Sequence, residues 1–567
     1  MIEEEMAAEE EDGAEETSNT AVAMPAGTTN LSSGNYIYSN ANKVRGATIF
    51  NEQLWSAATG GLVRYDLATG ESKKYTTLDG LPNIGIFQAV TCPVNGEDTL
   101  ILGTRIGLYV YNPADDSFAN GSSIGFGEPF QVNDLACDAA NGRLIFDYDD
   151  VTILDLATGE TQSFTEDENG LAWFAMDRIV PQGNDIWVPT GYSGASLIAA
   201  DGTVTVYGEE AGNFPDDDIS DVATAVDGSL WFGASDALFK LSNGEITAFD
   251  RDNSPAISYF GPDLVEIAPD GLLWVGFSSS ICQFEEASGT CATEFSLSDT
   301  GLSSESSLAN MEILDDGRIL IHTYDHGAAV YDGTSWTAYA LENEAPNNFF
   351  DNFYQTSDGT IWTMGESIYK TDLDASSWTR QENIFGSDMV EDANGTLWFI
   401  SGRRLYQFDG QRVLEYDEEA GMADLSHRML LLADDGMLYA AGDGGYTIID
   451  PAGPSFTAVD EAAGWAFGNI RDLAQIDGTL YAATTDGLAA LNGDSYEVLL
   501  DETFVNLPSD NIAAVAGLPD GRLALGTTAG LAYYDGSGVE ADTAVSGSVS
   551  DMLVTPSGDI WLTAFNS

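Results

Sequence analysis

A short motif recurs along almost the whole chain and limits the folds that this sequence can adopt. Each copy has a large residue, here called the anchor, and ten of the thirteen anchors have a glycine three positions earlier. The anchors are Trp55, Ile101, Ile145, Trp187, Trp231, Trp274, Leu320, Trp362, Trp398, Tyr439, Tyr481, Ala524 and Trp561. Their spacing of about 42 residues is typical of a four-stranded propeller blade. The chain is therefore predicted to be a repeat array.

The glycines of the motif stand in Asp-Gly, Asn-Gly or Ser-Gly pairs, which provide the positive φ of tight hairpin turns. The copy around Trp274 shows four short strands, named A to D: LVEIA, LLWVGF, ICQFEE and ATEFSL. The anchor lies on strand B, where we expect it to pack between neighbouring blades. A β-solenoid is the alternative, but its coils repeat at shorter periods. The fold class predicted is all-β: two tandem β-propellers of six to seven four-stranded antiparallel blades.

The same pattern divides the chain into three parts. Residues 1–33 are acidic and unpatterned, which is typical of disorder. Residues 34–345 are assigned to a first propeller of seven repeats, and 346–567 to a second with repeats eight to thirteen, the last incomplete. The boundary is placed at the polar stretch LENEAPNNFF. The segment NYIYSNAN, residues 35–42, resembles an orphan strand D that could close a ring.

The balance of charge excludes some partners. The chain has 92 Asp and Glu against 19 Lys and Arg, a formal net charge of −73. Such a polyanion is repelled by phosphate backbones and anionic lipid surfaces, so nucleic acid is excluded as a partner. Hydration and solubility in a salty medium explain the charge better than an acidic active site does. No stretch of 18 or more apolar residues is present, and no membrane span is predicted.

Four cysteines point to an oxidising compartment. Cys282 and Cys291 flank a hairpin turn, so they can face each other and form a disulfide. Cys92 and Cys137 stand at matching places in successive repeats and form a second candidate pair. The alternative is four buried thiols. We predict an extracytoplasmic protein, periplasmic or secreted, whose signal sequence is not present in this chain because its N-terminus lacks basic and apolar regions.

The segment YTTLDGLPNIGIFQAV, residues 75–90, lies between LWSAATGGLVRYD and LILGTRIGLYVYN. Together they resemble the two-component regulator propeller repeat, with its aromatic-Thr-Thr-x-Asp-Gly-Leu-Pro link. Weaker links are Asn169-Gly170-Leu171 and Thr300-Gly301-Leu302. The resemblance implies propellers outside the membrane, often seven-bladed and in tandem, that sense glycans or other small ligands for a receptor. No kinase or DNA-binding region accompanies the repeats, which leaves signalling by this chain alone open.

Aromatic residues in the connections between blades are the candidate ligand contacts. The B–C loops and the D–A links must lie on one face of a propeller, which is the usual ligand surface. Aromatic faces pack well on sugar rings, and the alternative is that these side chains fill seams between blades. The candidates are Trp173, Phe174, Phe214, Tyr259, Phe260, Phe349, Phe350, Trp465 and Phe467.

Catalytic and metal motifs are weak. His322 and His326 lie in a strand-to-loop stretch and lack the helical spacing of a zinc site. The carboxylates of Asp216, Asp217, Asp218 and Asp221 could attract calcium, but a solvated loop explains them better. No GxSxG nucleophile motif is present. No cofactor is predicted.

The leading hypothesis is a non-enzymatic extracytoplasmic sensor or binding propeller for a small molecule or glycan. Its alternatives are a propeller enzyme, either a lyase or a glycosidase, and a scaffold for protein partners. Fold alone does not distinguish the three, because one fold serves many functions.

Overall fold

The computed structural model describes most of the repeat region. It covers residues 39–128, 130–147, 151–172, 178–209, 211–257, 260–304, 306–314, 316–341, 344–345, 352–365, 367–372, 377–381, 384–555 and 558–565. The chain forms two compact units, Met1–Asn348 and Phe349–Ser567. All the sheets are antiparallel and each joins strands that are consecutive in the chain. The prediction of an all-β propeller fold is confirmed.

The first unit contains seven four-stranded sheets, blades 1 to 7. Their strands A to D are, in blade 1, Val44–Phe50, Gln53–Ala58, Gly61–Asp66 and Ser72–Tyr75; in blade 2, Ile86–Val94, Glu97–Thr104, Gly107–Asn112 and Ser117–Asn120; in blade 3, Leu135–Asp138, Arg143–Asp147, Val151–Asp155 and Thr161–Phe164; in blade 4, Val180–Gln182, Asp185–Pro189, Ala195–Ile198 and Val204–Tyr207; in blade 5, Ile219–Thr224, Leu230–Ala234, Ala237–Ser242 and Glu245–Asp250; in blade 6, Leu264–Ile267, Leu273–Phe277, Ser280–Glu285 and Thr290–Ser296; and in blade 7, Leu308–Ile313, Ile319–Thr323, Ala328–Tyr331 and Trp336–Tyr339.

The second unit contains five four-stranded sheets and, within the residues described, one two-stranded sheet, blades 8 to 13. Their strands are, in blade 8, Asn352–Gln355, Ile361–Met364, Ile368–Thr371 and Thr379–Gln381; in blade 9, Asp388–Glu391, Leu397–Ser401, Arg404–Phe408 and Val413–Tyr416; in blade 10, Ser426–Leu432, Leu438–Asp443, Gly445–Asp450 and Ser455–Val459; in blade 11, Ile470–Ile476, Thr479–Thr484, Gly487–Asn492 and Ser495–Leu500; in blade 12, Ile512–Gly517, Leu523–Thr527, Gly530–Tyr534 and Val539–Ser546; and in blade 13, Ser548–Val554 and Ile560–Phe565.

The hairpin turns and the anchors have the predicted roles. All ten motif glycines have positive φ, between 65° and 90°, at the turn between strands A and B. Anchors on strand B fill the seams between blades: the Trp55 ring packs with Leu81, Ile86 and Leu100 of the blade 2 region in one cluster. Trp561 differs, because 70% of its surface is exposed.

The D–A links include short helical turns. The link after blade 1 is a 3₁₀ helix, Thr77–Asp79, whose N-cap Thr76 donates its backbone N–H to the Asp79 carboxylate at 2.9 Å. Gly80 ends the helix with φ 89°. The Thr-x-x-Asp-Gly sequence therefore encodes a capping box and a glycine C-cap. The other short helices are Gly121–Ile124, Glu166–Asn169, Leu297–Thr300 and Glu418–Ala420.

The first ring closes by packing blade 1 against blade 7. Val44 and Leu54 of blade 1 share a buried cluster with Leu320 and Val330 of blade 7. The Asn42 side chain accepts from the backbone N–H of Leu341 and donates to its carbonyl, both at 2.8 Å. Residues 39–42 therefore bridge the seam without forming a strand, and our prediction of an orphan strand D is wrong for them. Blade 7 already has its own strand D, and residues 35–38 lie outside the described residues.

An aspartate near the start of strand A joins neighbouring blades at four seams. In each case one carboxylate oxygen accepts a backbone N–H from the next blade region. The pairs are Asp134 with Ile179 at 2.6 Å, Asp221 with Val265 at 2.9 Å, Asp388 with Leu430 at 2.8 Å and Asp472 with Val515 at 2.8 Å. These bonds satisfy backbone donors that strand pairing within a blade does not reach.

The raised pKa values of two of these aspartates predict that the second unit is more stable at mildly acidic pH than at neutral pH. Burial raises the pKa of Asp388 and of Asp472 to about 6 each. A carboxyl group whose pKa is higher in the folded state than in the unfolded state stabilises the fold when it is protonated. This contribution to the free energy of unfolding is complete below about pH 4 and is lost as the pH rises through about 6. We expect the thermal midpoint of the second unit to be higher at pH 5 than at pH 7.5. The Asp388→Asn and Asp472→Asn variants should show a smaller difference, measured by calorimetry.

The matched control for this experiment is Asp494→Asn, which removes one charge at an exposed position of the same unit. Acidification also reduces the repulsion within a chain of net charge −73, and the control isolates that general effect. An unchanged pH profile in Asp388→Asn and Asp472→Asn, equal to that of the control, would contradict the assignment.

Two disulfides are present. The first joins Cys92 and Cys137, which lie on the A strands of blades 2 and 3, with a Cα–Cα distance of 5.5 Å. The second joins Cys282 and Cys291 within the C–D hairpin of blade 6, also at 5.5 Å. One bond therefore crosses a seam and the other stabilises a single hairpin.

Candidate functional site

The two ends of the first unit carry different connections between strands. Strands A to D alternate in direction within each blade, so the B–C loops and the D–A links lie at the same end. We name this end the link face. The A–B and C–D turns lie at the opposite end, which we name the turn face. Loops on one face of a rigid scaffold are the common location of binding sites.

A cavity of about 720 Å³ lies among the A strands of the first unit. We name it the hub cavity. Residues from six of the seven blades line it, and a volume of this size is within the usual range for small-molecule sites. Its lining is rich in hydrogen-bonding groups, including Arg45, Gln88, Asn133, Asp134, Arg178, Glu266, Asn310, Glu312 and Tyr324.

Arg178 is the electrostatic centre of this cavity. Its guanidinium forms ion pairs with Asp221 of blade 5 and, at 3.4 Å from Nη2 to Oε1, with Glu266 of blade 6. Burial opposes the charge of Arg178, but these carboxylates raise its pKa overall. Burial also raises the pKa values of Asp221 and Glu266, against the opposing effect of Arg178. The arginine therefore holds three blades together and stays charged.

Asp221 corrects part of the sequence interpretation. We assigned it, with Asp216, Asp217 and Asp218, to a solvated loop, but its side chain is 1% exposed and ion-paired with Arg178. Strand A of blade 5 begins at Ile219, so Asp221 is already inside the sheet. Among the described residues, no group of three or more His, Cys, Asp or Glu side chains is arranged to hold a metal ion.

Other polar groups of the cavity have unused hydrogen-bonding capacity. Arg45 is exposed and, among the described residues, its side chain forms no ion pair or hydrogen bond. Asn310 accepts from the backbone N–H of Met311 at 2.8 Å, and its amide N–H groups have no acceptor among the described residues. Guanidinium and amide donors of this kind are suited to hydroxyl and carboxylate oxygens of a ligand.

His322 is a buried residue of strand B of blade 7. It is 3% exposed, and neither ring nitrogen has a hydrogen-bond partner in the described structure. Burial, followed by the charges of Arg178 and Arg45, lowers the pKa of His322 to about 3. The ring is therefore neutral at ordinary pH. His326, four residues later, pairs with Asp325 at 2.8 Å instead.

The aromatic residues predicted as ligand contacts have different surroundings. Phe214 is buried and packs against Phe232 with ring centroids 4.8 Å apart. Trp465 and Phe467 are buried in one core cluster of the second unit. Phe260, in the link between blades 5 and 6, is 71% exposed. The other predicted contacts lie outside the described residues: Trp173, Phe174, Tyr259, Phe349 and Phe350.

Two exposed tyrosines on the link face were missing from the sequence prediction. Tyr192 is 79% exposed in the B–C loop of blade 4, and Tyr324 is 52% exposed in the B–C loop of blade 7. Tyr324 also lines the hub cavity. The predicted aromatics all belong to D–A links. An aromatic residue within three positions after strand B, as in PTGYSG and IHTYDHG, is the signal that would have found both tyrosines.

Comparison with known proteins gives structural matches only. No protein-family model and no curated protein matches the sequence. PorZ, an essential bacterial surface component of the type-IX secretion system of Porphyromonas gingivalis, is similar in structure, with TM-score 0.65 and 13% identity over 93% of this chain and 79% of that chain. At this identity the match supports the fold.

Two further solved structures are similar at lower scores. The extracellular domain of the putative hybrid two component system BT3049 from B. thetaiotaomicron has TM-score 0.38 and 15% identity, covering 92% of this chain and 80% of that chain. An ancestral GH74 enzyme has TM-score 0.47 and 11% identity, covering 93% and 81%. Among the described residues, no helix is both long and apolar enough to cross a membrane.

Proposed function

We propose that the first unit is the ligand-binding part of an extracytoplasmic sensor propeller and that it binds a glycan or another polyhydroxylated small molecule. The hub cavity supports this proposal most directly, because it combines free donors with an exposed aromatic ring at its link-face end. Arg45 and Asn310 supply the donors, and Tyr324 supplies the ring. Sugar rings are commonly bound by such pairs of hydrogen bonds and aromatic contacts.

Exposed residues around the cavity extend the proposed surface. Phe260 and Tyr192 both lie on the link face and can contact the parts of a longer ligand that project from the cavity. The disulfides agree with an extracytoplasmic location, where such bonds form and persist. A sensing role follows from the repeat resemblance, and this chain would then supply recognition while another component supplies the response.

The test is calorimetric titration of the whole chain with a panel of neutral and acidic oligosaccharides. We expect at least one to bind, and Tyr324→Ala to weaken it about tenfold, which corresponds to about 1.4 kcal/mol of lost ring contact. Arg45→Ala should have a similar effect because it removes a charged donor. The control is Val226→Ala, an exposed apolar position on the turn face.

Two results would contradict the proposal. One is the absence of binding across the panel; the other is binding that Tyr324→Ala and Arg45→Ala leave unchanged. Product analysis of the same mixtures tests the enzyme alternative, because a lyase or glycosidase would release shorter fragments. Cleavage that is lost in Glu266→Gln would replace the sensor proposal by an enzymatic one.

A further inference from the structure

A second cavity of about 640 Å³ lies at the seam between blades 4 and 5. We name it the seam crevice. Gly183 and Gly228, which belong to the A–B turns of these two blades, line it, so it reaches the turn face rather than the link face. Glu266 and Ile267, from strand A of blade 6, complete its inner end.

The sequence explains why this seam remains open. Strand A of blade 4 has only three residues and contains Pro181, so it covers little of the neighbouring blade. The facing strand of blade 5 presents Ala223 and Thr224, which are small. At the seam between blades 1 and 2, by contrast, Tyr111 of blade 2 packs against the anchor Trp55, with ring centroids 4.6 Å apart.

The walls of the crevice combine aromatic surface with acidic groups. Trp187 and Tyr207 form one wall, with ring centroids 5.1 Å apart. Asp185 and Glu266 supply two carboxyl groups, and no lysine, arginine or histidine is among the described residues that line the crevice. The hub cavity differs in this respect, because Arg45 and Arg178 both line it.

We propose that the seam crevice binds a small organic cation, an amine or quaternary ammonium attached to an apolar body of about one ring in size. The ammonium group would lie near Glu266 and the apolar body against Leu197 and Tyr207. A cation gains both from the carboxylate and from the faces of aromatic rings. The net charge of −73 adds a long-range attraction for cations at low ionic strength.

This site is separate from the one in the proposed function. The two cavities share Val180, Pro181 and Glu266 as a common wall, but the crevice opens at the turn face and its aromatic residues belong to blade 4. Binding in the crevice therefore does not require a ligand on the link face. A cation bound in the crevice would nevertheless contact Glu266, which pairs with Arg178 of the hub cavity.

Three matched probes test the chemistry. Calorimetric titration of the whole chain in low salt with 2-phenylethylamine, 2-phenylethanol and 3-phenylpropanoate compares a cation, a neutral molecule and an anion of similar size. We expect the amine to bind at least about tenfold more tightly than the alcohol, and the acid to bind weakest. Equal affinity of the three, or no amine binding, would overturn the proposal.

Variants then locate the site. Glu266→Gln should weaken amine binding about tenfold while leaving alcohol binding unchanged, because it removes the negative charge and keeps the size of the side chain. The ion pair of Glu266 with Arg178 is lost in the same variant. Glu245→Gln is the matched control, since Glu245 is exposed on strand D of blade 5 and lines neither cavity. An amine affinity that falls in Glu245→Gln and not in Glu266→Gln would place the cation elsewhere and refute the assignment.

A second variant does not depend on the ion pair of Glu266. Thr224→Trp places a large side chain at an exposed position of the crevice lining and should abolish amine binding. It also removes the hydrogen bond that the Thr224 hydroxyl donates to the Gln182 side chain. The thermal midpoint confirms that the variant is folded. Oligosaccharide binding is measured on the same variants, and amine binding is also measured on Tyr324→Ala. Loss of one kind of binding without the other then shows which of the two proposals has failed. Amine binding that survives Thr224→Trp would contradict the location.

Discussion

Replacing Trp55 by alanine is expected to lower the free energy of unfolding of the first unit by about 3–5 kcal/mol. The same replacement at Trp561 should change stability by less than about 0.5 kcal/mol. The two residues occupy the same position of the repeat, on strand B. Trp55 is fully buried and its ring lies 4.6 Å from that of Tyr111, centroid to centroid, whereas Trp561 is 70% exposed.

Urea unfolding followed by circular dichroism measures both variants, and each unit is treated as its own transition because a chain with two units need not unfold in one step. Trp398→Ala is the control within the second unit, because Trp398 is an anchor with 0% exposure. It should cost as much as Trp55→Ala. If Trp561→Ala were as damaging as Trp398→Ala, the exposed face of blade 13 would have to be covered in solution.

Removing the disulfide between Cys92 and Cys137 should be the other large effect. In the chain-entropy account, a bond closing a longer loop restricts the unfolded chain more. The Cys92–Cys137 bond spans 45 residues, and the Cys282–Cys291 bond spans nine. The expected losses in the free energy of unfolding are about 4 kcal/mol for the double variant Cys92→Ala/Cys137→Ala and about 2.5 kcal/mol for the double variant Cys282→Ala/Cys291→Ala.

Alanine is preferred to serine for both pairs because Cys92 and Cys282 are fully buried and a hydroxyl there would add its own cost. Chemical unfolding of the oxidised protein and of both double variants gives the comparison. Equal losses for the two pairs would show that local packing, rather than restriction of the unfolded chain, determines the stabilisation. A larger loss for the hairpin pair would contradict the expectation outright.

Much of the fold could be predicted because its determinants are local. Asp-Gly and Asn-Gly pairs favour positive φ whatever surrounds them, so the glycines that precede the anchors indicated where the turns lie. The Thr76–Gly80 link likewise depends on side chains only three residues apart. Blade 13 shows the limit of this reasoning: Trp561 has the same local sequence pattern as other anchors, yet its burial depends on a neighbouring sheet.

The candidate site was harder to predict because it is assembled from distant repeats. Arg178 pairs with Asp221 and Glu266, which lie 43 and 88 residues away, and neither pairing follows from the sequence around Arg178. Phe214 and Phe260 occupy similar links and have similar chemistry, but one is buried and the other is exposed. Whether a link aromatic reaches solvent depends on how its loop lies over the next blade.

The sequence by itself determined the repeat period, the turns, the strand order within each blade, and the acidic character of the chain, because these depend on neighbouring residues or on composition alone. Only the tertiary structure decided which polar groups meet at the hub, that Asp221 is buried against Arg178, and that the seam between blades 4 and 5 stays open. The physical reason is that a propeller joins residues about 42 positions apart through the packing of whole sheets. Such packing depends on the side-chain volumes of two blades at once, and the motif within one repeat does not specify the side chains of the next.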